Sequence, residues 1–269
     1  MERTWNYNIH SHTSRCQHAY GSDEEYAEHC HNAGFSVMGF SDHIFLPGIH
    51  QKGMRGDYSL LDEYVESVSS LKKKYEGKME IHVGFEAEWY GDYFHSYYYN
   101  LLKSKKIEYL ILGQHAFMLN GFPTFYASLA DHEMALNMYT NDLIAGMRSG
   151  LFTYVCHPDL YVAWHHEWTK QGEEAAWKIA KEAKALNIPL EVNMAPSRWK
   201  GVKGDDVDGL YYPYAPFWEI VSEVGCDVVV GVDAHDPSNY EDSDYAWVMR
   251  FIEKHHLKLV KNITFPTIK

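Results

Sequence analysis

The chain has no apolar run of about 18 residues, the length a membrane-spanning helix needs, so no segment is expected to cross a bilayer. It has no C-x-x-C pair. The four cysteines, Cys16, Cys30, Cys156 and Cys226, stand far apart, which argues against a thiolate zinc site or a disulfide framework and fits a reducing compartment. Positive charge is scarce: 24 Lys and Arg face 37 Asp and Glu, and the formal net charge of −13 leaves no basic surface to neutralise a nucleic-acid backbone. A small phosphorylated partner stays open, because a few local cations outweigh an unfavourable distant field. The first residues, Met-Glu-Arg and an alternating polar and apolar run, lack the apolar centre of a secretion signal, so a cytoplasmic location is expected, with no membrane partner. Repeats, low-complexity tracts and Pro/Gly-rich linkers are also missing, and residues 1–269 are expected to form one domain, near the roughly 250 residues typical of a (β/α) barrel.

What is present is a series of short apolar runs separated by helical patterns, the alternation of an α/β fold with parallel strands. Seven strands are predicted, at 5–10, 36–40, 79–85, 107–112, 152–156, 188–192 and 227–232; residues 257–260 fit a short eighth strand or an edge segment. Ser22 followed by Glu25 forms a capping box for a helix that Gly34 stops. Further helices are predicted from Ser59 to about Gly77 and over 131–150, 173–187, 215–225 and 242–256. The expected architecture is a distorted, seven-stranded TIM-like (β/α) barrel.

The strand ends carry the chemistry. In order they read His10-Ser-His12, Asp42-His43, Glu86-Ala-Glu88, Gln114-His115, His157-Pro-Asp159, Glu191 with Asn193, and Asp233-Ala-His235. Parallel strands in a barrel deliver their C-terminal ends to one face, so these residues are expected to meet. His10 and His12, two apart on a strand, point the same way and can share one metal. Asp233 and His235 repeat that spacing on the last strand, next to the first in a closed barrel. Glu86 ends an apolar strand, where an unpaired carboxylate is costly unless it meets cations. Taken singly, each also fits a strand-end residue that only hydrogen bonds; recurrence at successive ends favours a metal site. Asp42 is a candidate acceptor holding the His43 ring. His29, His31, His50, His95, His132, His165, His166, His255 and His256 fall on helices or loops and are expected to be structural, with His82 in the core or behind the site.

The series His10-x-His12, His18, Asp42-His43, Glu86, His115, His157 and Asp233-x-His235 resembles the polymerase and histidinol phosphatase family of metal-dependent phosphoesterases over the whole chain. Length and the first loop with Arg15 look most like its stand-alone histidinol-phosphate phosphatases of histidine biosynthesis. The resemblance implies up to three divalent metals, zinc, iron or manganese, because imidazoles and carboxylates do not choose among these. It implies a first metal on His10, His12, Glu86 and Asp233, a second bridged by Glu86 to His115 and His157, and a third on His18, His43 and His235. A water shared by the first two would attack phosphorus in line, oriented by Asp233. Arg15, placed between His12 and His18, and Arg198 are the candidates for gripping phosphate, with Arg15 also assigned a catalytic role. Glu88, with Trp89, Tyr161 and Trp199, is a candidate for contacting the substrate's organic part. The competing readings are a family member acting on another phosphate monoester or a nucleotide, a catalytically silent metal-binding regulator, and an amidohydrolase; the last leaves His18, His43 and His235 without a purpose.

Overall fold

Residues 3–198 and 212–268 are described by a computed structural model of the chain. Trp199 lies outside the described residues, as does the side chain of His165. The first half alternates strand and helix: β1 (Tyr7–Asn8), α1 (Asp23–Asn32), β2 (Val37–His43), α2 (Leu61–Lys74), β3 (Glu80–Ala87), α3 (His95–Lys103) and β4 (Tyr109–Leu112). A hairpin, β5 (Ala116–Leu119) and β6 (Phe122–Phe125), then precedes α4 (His132–Arg148), α5 (Leu160–His165) and α6 (Lys170–Leu186). The last part holds β7 (Leu190–Asn193), α7 (Ala215–Val224), β8 (Asp227–Gly231), α8 (Asn239–Asp242), α9 (Tyr245–Lys254) and β9 (Lys258–Leu259).

Strands β1 to β4 are parallel neighbours in sequence order, and β7, β8 and β9 form a second parallel run. Single parallel bridges, Leu112 to Val155 and Val155 to Leu190, lead from β4 to β7, and Ser11 pairs with Ala234. The parallel sheet is therefore curled. Its strands are buried on both faces, which is why they read as nearly unbroken apolar runs. The predicted fifth strand, 152–156, is assigned only the bridging residue Val155, yet the segment runs hydrogen-bonded between its neighbours: Thr153 and Cys156 N–H donate to the Leu110 and Leu112 carbonyls and Val155 N–H to that of Pro189. Residues 257–260 are an edge among the described residues, with β9 paired to Asp227 and Val228 at the start of β8.

Ser22 and Glu25 form the reciprocal capping box at α1. The helix predicted over 242–256 is α9, which begins where Asp244 accepts from the Trp247 N–H; the short α8 precedes it and ends at Asp242. Helix α3 was hidden by its run of three tyrosines, which carries no helical period and no side-chain cap. The β5–β6 hairpin had a local signal: Asn120-Gly121, with φ of 51° and 81°, is the pair that two-residue hairpin turns favour. Its apolar strands lack the alternation by which strands are recognised.

Register sets the level at which side chains enter the site. On β2 and β3, His43 lies directly opposite Glu86, and on β7 and β8 Asn193 lies opposite Gly231, two residues before Asp233. Toward the other end of the strands, the Tyr109 hydroxyl donates to the carbonyls of Ile9 (2.9 Å) and Phe40 (3.0 Å), while Phe265 stacks on its ring with centroids 4.9 Å apart.

Candidate metal centre

The segment after β1 lies against the segment after β8. His12 N–H donates to the Ala234 carbonyl at 2.9 Å and Ala234 N–H to the His10 carbonyl at 3.3 Å, so the H-x-H and D-x-H runs sit side by side. The His10 and His12 Nε2 atoms are 3.4 Å apart, and Asp233 Oδ1 lies 3.4 and 3.2 Å from them. Glu86 is the centre of the arrangement. Its oxygens lie 3.8 Å from His10, 3.6 Å from His12, 3.1 Å from His43, 3.5 Å from His115 and 2.8 Å from His157, so five imidazoles from four segments converge on one carboxylate. Ligand atoms of His18, His43 and His235 lie within 4.8 Å of one another, and the His18 and His235 Nε2 atoms are 3.1 Å apart. All nine predicted ligand residues are thus brought together.

Behind these rings stand acceptors. Glu191 Oε2 is 2.8 Å from His10 Nδ1, and Asn193 Nδ2 donates to Glu191 Oε1 (2.8 Å) and to Asp233 Oδ2 (3.0 Å). Asn193 thereby occupies the outer oxygen of Asp233 and leaves Oδ1 toward the imidazoles. Glu191 and Asn193 share strand parity, and that spacing was their only sequence signal. Two thiols add a feature that sequence spacing did not reveal: Cys156 groups with His10, Glu86 and His157, and Cys16 with His12 and His235.

Several expectations about the surrounding residues are corrected. Arg15 does not reach the cluster: its guanidinium donates to both oxygens of Asp23 (2.8 and 2.9 Å) and of Glu63 (2.8 Å each), which spends the fork that was to grip phosphate. Arg198 donates to the carbonyls of Val232 (2.9 Å) and Asp233 (3.1 Å) and to Ser243, fixing the backbone that carries Asp233 rather than lining the cavity. Glu88 is buried against Arg55 and His115, not at the opening. Asp42 takes the His43 backbone N–H and the Thr13 hydroxyl, and its nearest ring nitrogen, at 3.8 Å, is Nδ1 of His12 rather than of His43. Tyr161 is buried and donates to the Gly172 carbonyl, and Trp89 packs on His95. His82 faces Glu80 and Glu108, away from the cluster.

Burial opposes charge on these groups, and the neighbours decide which of them keep it; His43 is pushed well below the usual imidazole value by burial. Against burial, the neighbouring His115 and His43 rings and hydrogen bonds from His10 and His157 hold Glu86 well below the usual carboxylate range. Asp233 is held low in the same way by His10, His12 and His235. For His10 burial is outweighed by Glu191 and Asp233, which push it up to about 10; burial and the neighbouring His12 push His235 down to about 3. Three buried atoms, Asp233 Oδ1 and the Nδ1 atoms of His12 and His43, have no partner in hydrogen-bond geometry. Unpaired buried polar atoms are rare, and these lie among hard and borderline donors at ligand spacing, so the residues fit divalent cations. His157 (φ 31°) and Asp233 (φ 53°) hold left-handed backbone, a strain on the order of 1–3 kcal/mol each of the kind concentrated at functional sites.

The carboxylates also need room. A Cβ at Gly113 would collide with Glu86 Oε1 and lie 2.5 Å from its carboxyl carbon, and one at Gly231 would stand 2.5 Å from that of Glu191. Gly113→Ala will therefore displace Glu86 and lower turnover by about 10²-fold, the scale expected for a misplacement of about 1 Å. Steady-state kinetics with metal analysis checks this, and wild-type turnover with full metal content would refute it.

A cavity of ≈ 310 Å³ opens onto the cluster, with Met54, Phe125, Leu160 and Trp164 on its wall. Among the described residues no Lys or Arg lines it. The family described as the PHP domain matches residues 8–195, so Asp233 and His235 lie beyond the matched range. The Deinococcus radiodurans protein named "Probable histidinol-phosphatase" is 26% identical over 233 residues, 85% of each chain. The Bacillus subtilis protein named histidinol-phosphatase is 30% identical over 92 residues, 31% of this chain and 34% of that one. The solved histidinol phosphate phosphatase of Lactococcus lactis subsp. lactis, complexed with zinc, L-histidinol and phosphate, superposes with a TM-score of 0.68 at 15% identity over 98% of each chain, a likeness of fold.

Proposed function

The chain belongs to the PHP domain family, and on that premise we propose that it is a metal-dependent phosphatase that hydrolyses L-histidinol phosphate to L-histidinol and phosphate, a step of histidine biosynthesis. The observation that carries the reading is the convergence of five imidazoles on Glu86 beside Asp233. His10, His12, Glu86 and Asp233 would hold a first cation, Glu86, His115 and His157 a second, and His18, His43 and His235 a third, with zinc, iron or manganese all suited. The whole chain is then one domain whose curled sheet is a distorted seven-stranded barrel.

Bound cations of this kind lower the pKa of water and neutralise charge on a phosphoryl group. The chain's own residues supply order. Asn193 pins Oδ2 of Asp233, so Oδ1, which faces His10 and His12, would both meet the first cation and orient the attacking water. With Arg15 and Arg198 engaged elsewhere and no Lys or Arg among the described residues of the cavity wall, phosphate charge falls to the cations. The apolar wall suits a flat imidazole, which Phe125 and Trp164 are placed to cover.

Phosphate release should be compared for histidinol phosphate, an aryl phosphate and a nucleotide. We expect kcat/KM for histidinol phosphate to be at least about 10²-fold higher than for the others; equal values would transfer the reading to another monoester, and full metal loading without turnover would leave a silent metal-binding protein. Phe125→Ala is expected to raise KM for histidinol phosphate about tenfold and to leave hydrolysis of a small alkyl phosphate unchanged; an equal effect on both substrates would remove Phe125 from recognition.

A further inference from the structure

Behind His115 lies a buried ion pair that the proposed chemistry does not use. Arg55 and Glu88 are 1% and 0% exposed. One guanidinium nitrogen, Nη2, lies 2.9 and 3.1 Å from the two Glu88 oxygens, while Nε donates to Gln51 (2.8 Å) and Nη1 to the Ile44 carbonyl (3.0 Å). Burying two charges is expensive, and well-packed apolar residues often replace such a pair without loss of stability. A fully satisfied pair beside the cluster therefore calls for a reason other than stability.

The reason lies in its neighbours. Glu88 Oε1 is 3.3 Å from His115 Nδ1, and the opposite ring nitrogen, Nε2, lies 3.5 Å from Glu86 Oε1. The order is Arg55, Glu88, His115, Glu86. Glu86 and Glu88 are two apart, at and just past the end of β3, the spacing that sends side chains to one side of a strand. Glu88 is therefore itself within one imidazole of becoming a ligand. The comparison with His10 is instructive: its acceptor, Glu191, is held by the neutral amide of Asn193, whereas the acceptor behind His115 is balanced by a full positive charge.

We propose that Arg55 withholds Glu88 from direct ligation and makes it the acceptor that turns His115 Nε2 toward Glu86, so that the pair sets the affinity of the cation position formed by Glu86, His115 and His157. This rests on the metal reading above. Arg55 and Glu88 are positioning residues: Glu88 acts through His115, and Arg55 through Glu88. Loss of an outer acceptor of this kind typically weakens cation binding about 10- to 100-fold.

The test is a zinc titration of the full chain against a competing chelator, counting cations per chain. Glu88→Gln should lose one cation at a chelator level that leaves the wild type fully loaded, with the remaining positions unchanged. Glu88→Gln combined with Arg55→Met leaves no buried charge unpaired; a merely structural role predicts restored binding, whereas we expect the same single loss. Arg55→Met alone frees Glu88 and should hold that cation at least as tightly as the wild type. Wild-type stoichiometry and affinity in Glu88→Gln, or recovery in the double variant, would overturn the inference while leaving the metal reading intact. A wild-type chain that binds no zinc would overturn both.

Discussion

Stripping the divalent cations with a chelator is expected to lower phosphate release from histidinol phosphate by at least about 10³-fold, and zinc, iron or manganese added back should restore it. The size follows from the chemistry withdrawn: a bound cation lowers the pKa of water from about 15.7 to about 7. No Lys or Arg among the described residues of the cavity wall can take over the neutralisation of phosphate. Stability should fall as well. A ligand present at about 1,000 times its Kd contributes about 4 kcal/mol to the folded state, which for a chain of this size is a drop in midpoint of roughly 10 °C. Differential scanning calorimetry beside the activity assay checks both. Turnover that survives exhaustive chelation, with metal absent by elemental analysis, would remove the cations from the reaction.

Glu86→Gln is the single substitution with the largest expected effect. The amide matches the carboxylate in size but carries no charge, and it would face ring nitrogens of His10, His12, His43, His115 and His157 that are now arranged around an anion. Because Glu86 belongs to two of the proposed cation positions, both should lose affinity together. Removing one preorganised electrostatic contact commonly costs 10²- to 10³-fold in turnover, so a loss of about 10⁴-fold is expected here, with about two fewer cations per chain. Elemental analysis and single-turnover kinetics measure the two effects. A full complement of cations in Glu86→Gln would mean that Glu86 is not the bridge.

The convergence of eight of the nine candidate ligand residues was legible because two regularities act together: alternation on a strand pairs His10 with His12, and parallel strands deliver their ends to one face, whereas His18, in the loop after β1, was marked only by the family resemblance. The apolar runs were legible because a strand buried on both faces is apolar along most of its length. The predicted fifth strand reads like the others and does bond to both neighbours, but it forms a bridge at Val155 alone rather than an extended ladder, because an apolar run records burial and not the regularity of pairing. The hairpin that brings Phe125 to the cavity announced itself only at Asn120-Gly121.

Arg15 shows the limit most plainly. Its place between His12 and His18 puts its backbone beside the site, but Asp23 on α1 and Glu63 on α2 take its guanidinium. The sequence by itself determined residue types, their strand parity and the order in which they reach the common face, because these depend on neighbours along the chain. Only the tertiary structure decided which polar atoms are already spent, on Asp23 for Arg15, on Arg55 for Glu88 and on Asn193 for Asp233. A charged group is available to a substrate or a cation only if no nearer partner satisfies it, and those partners come from distant parts of the chain.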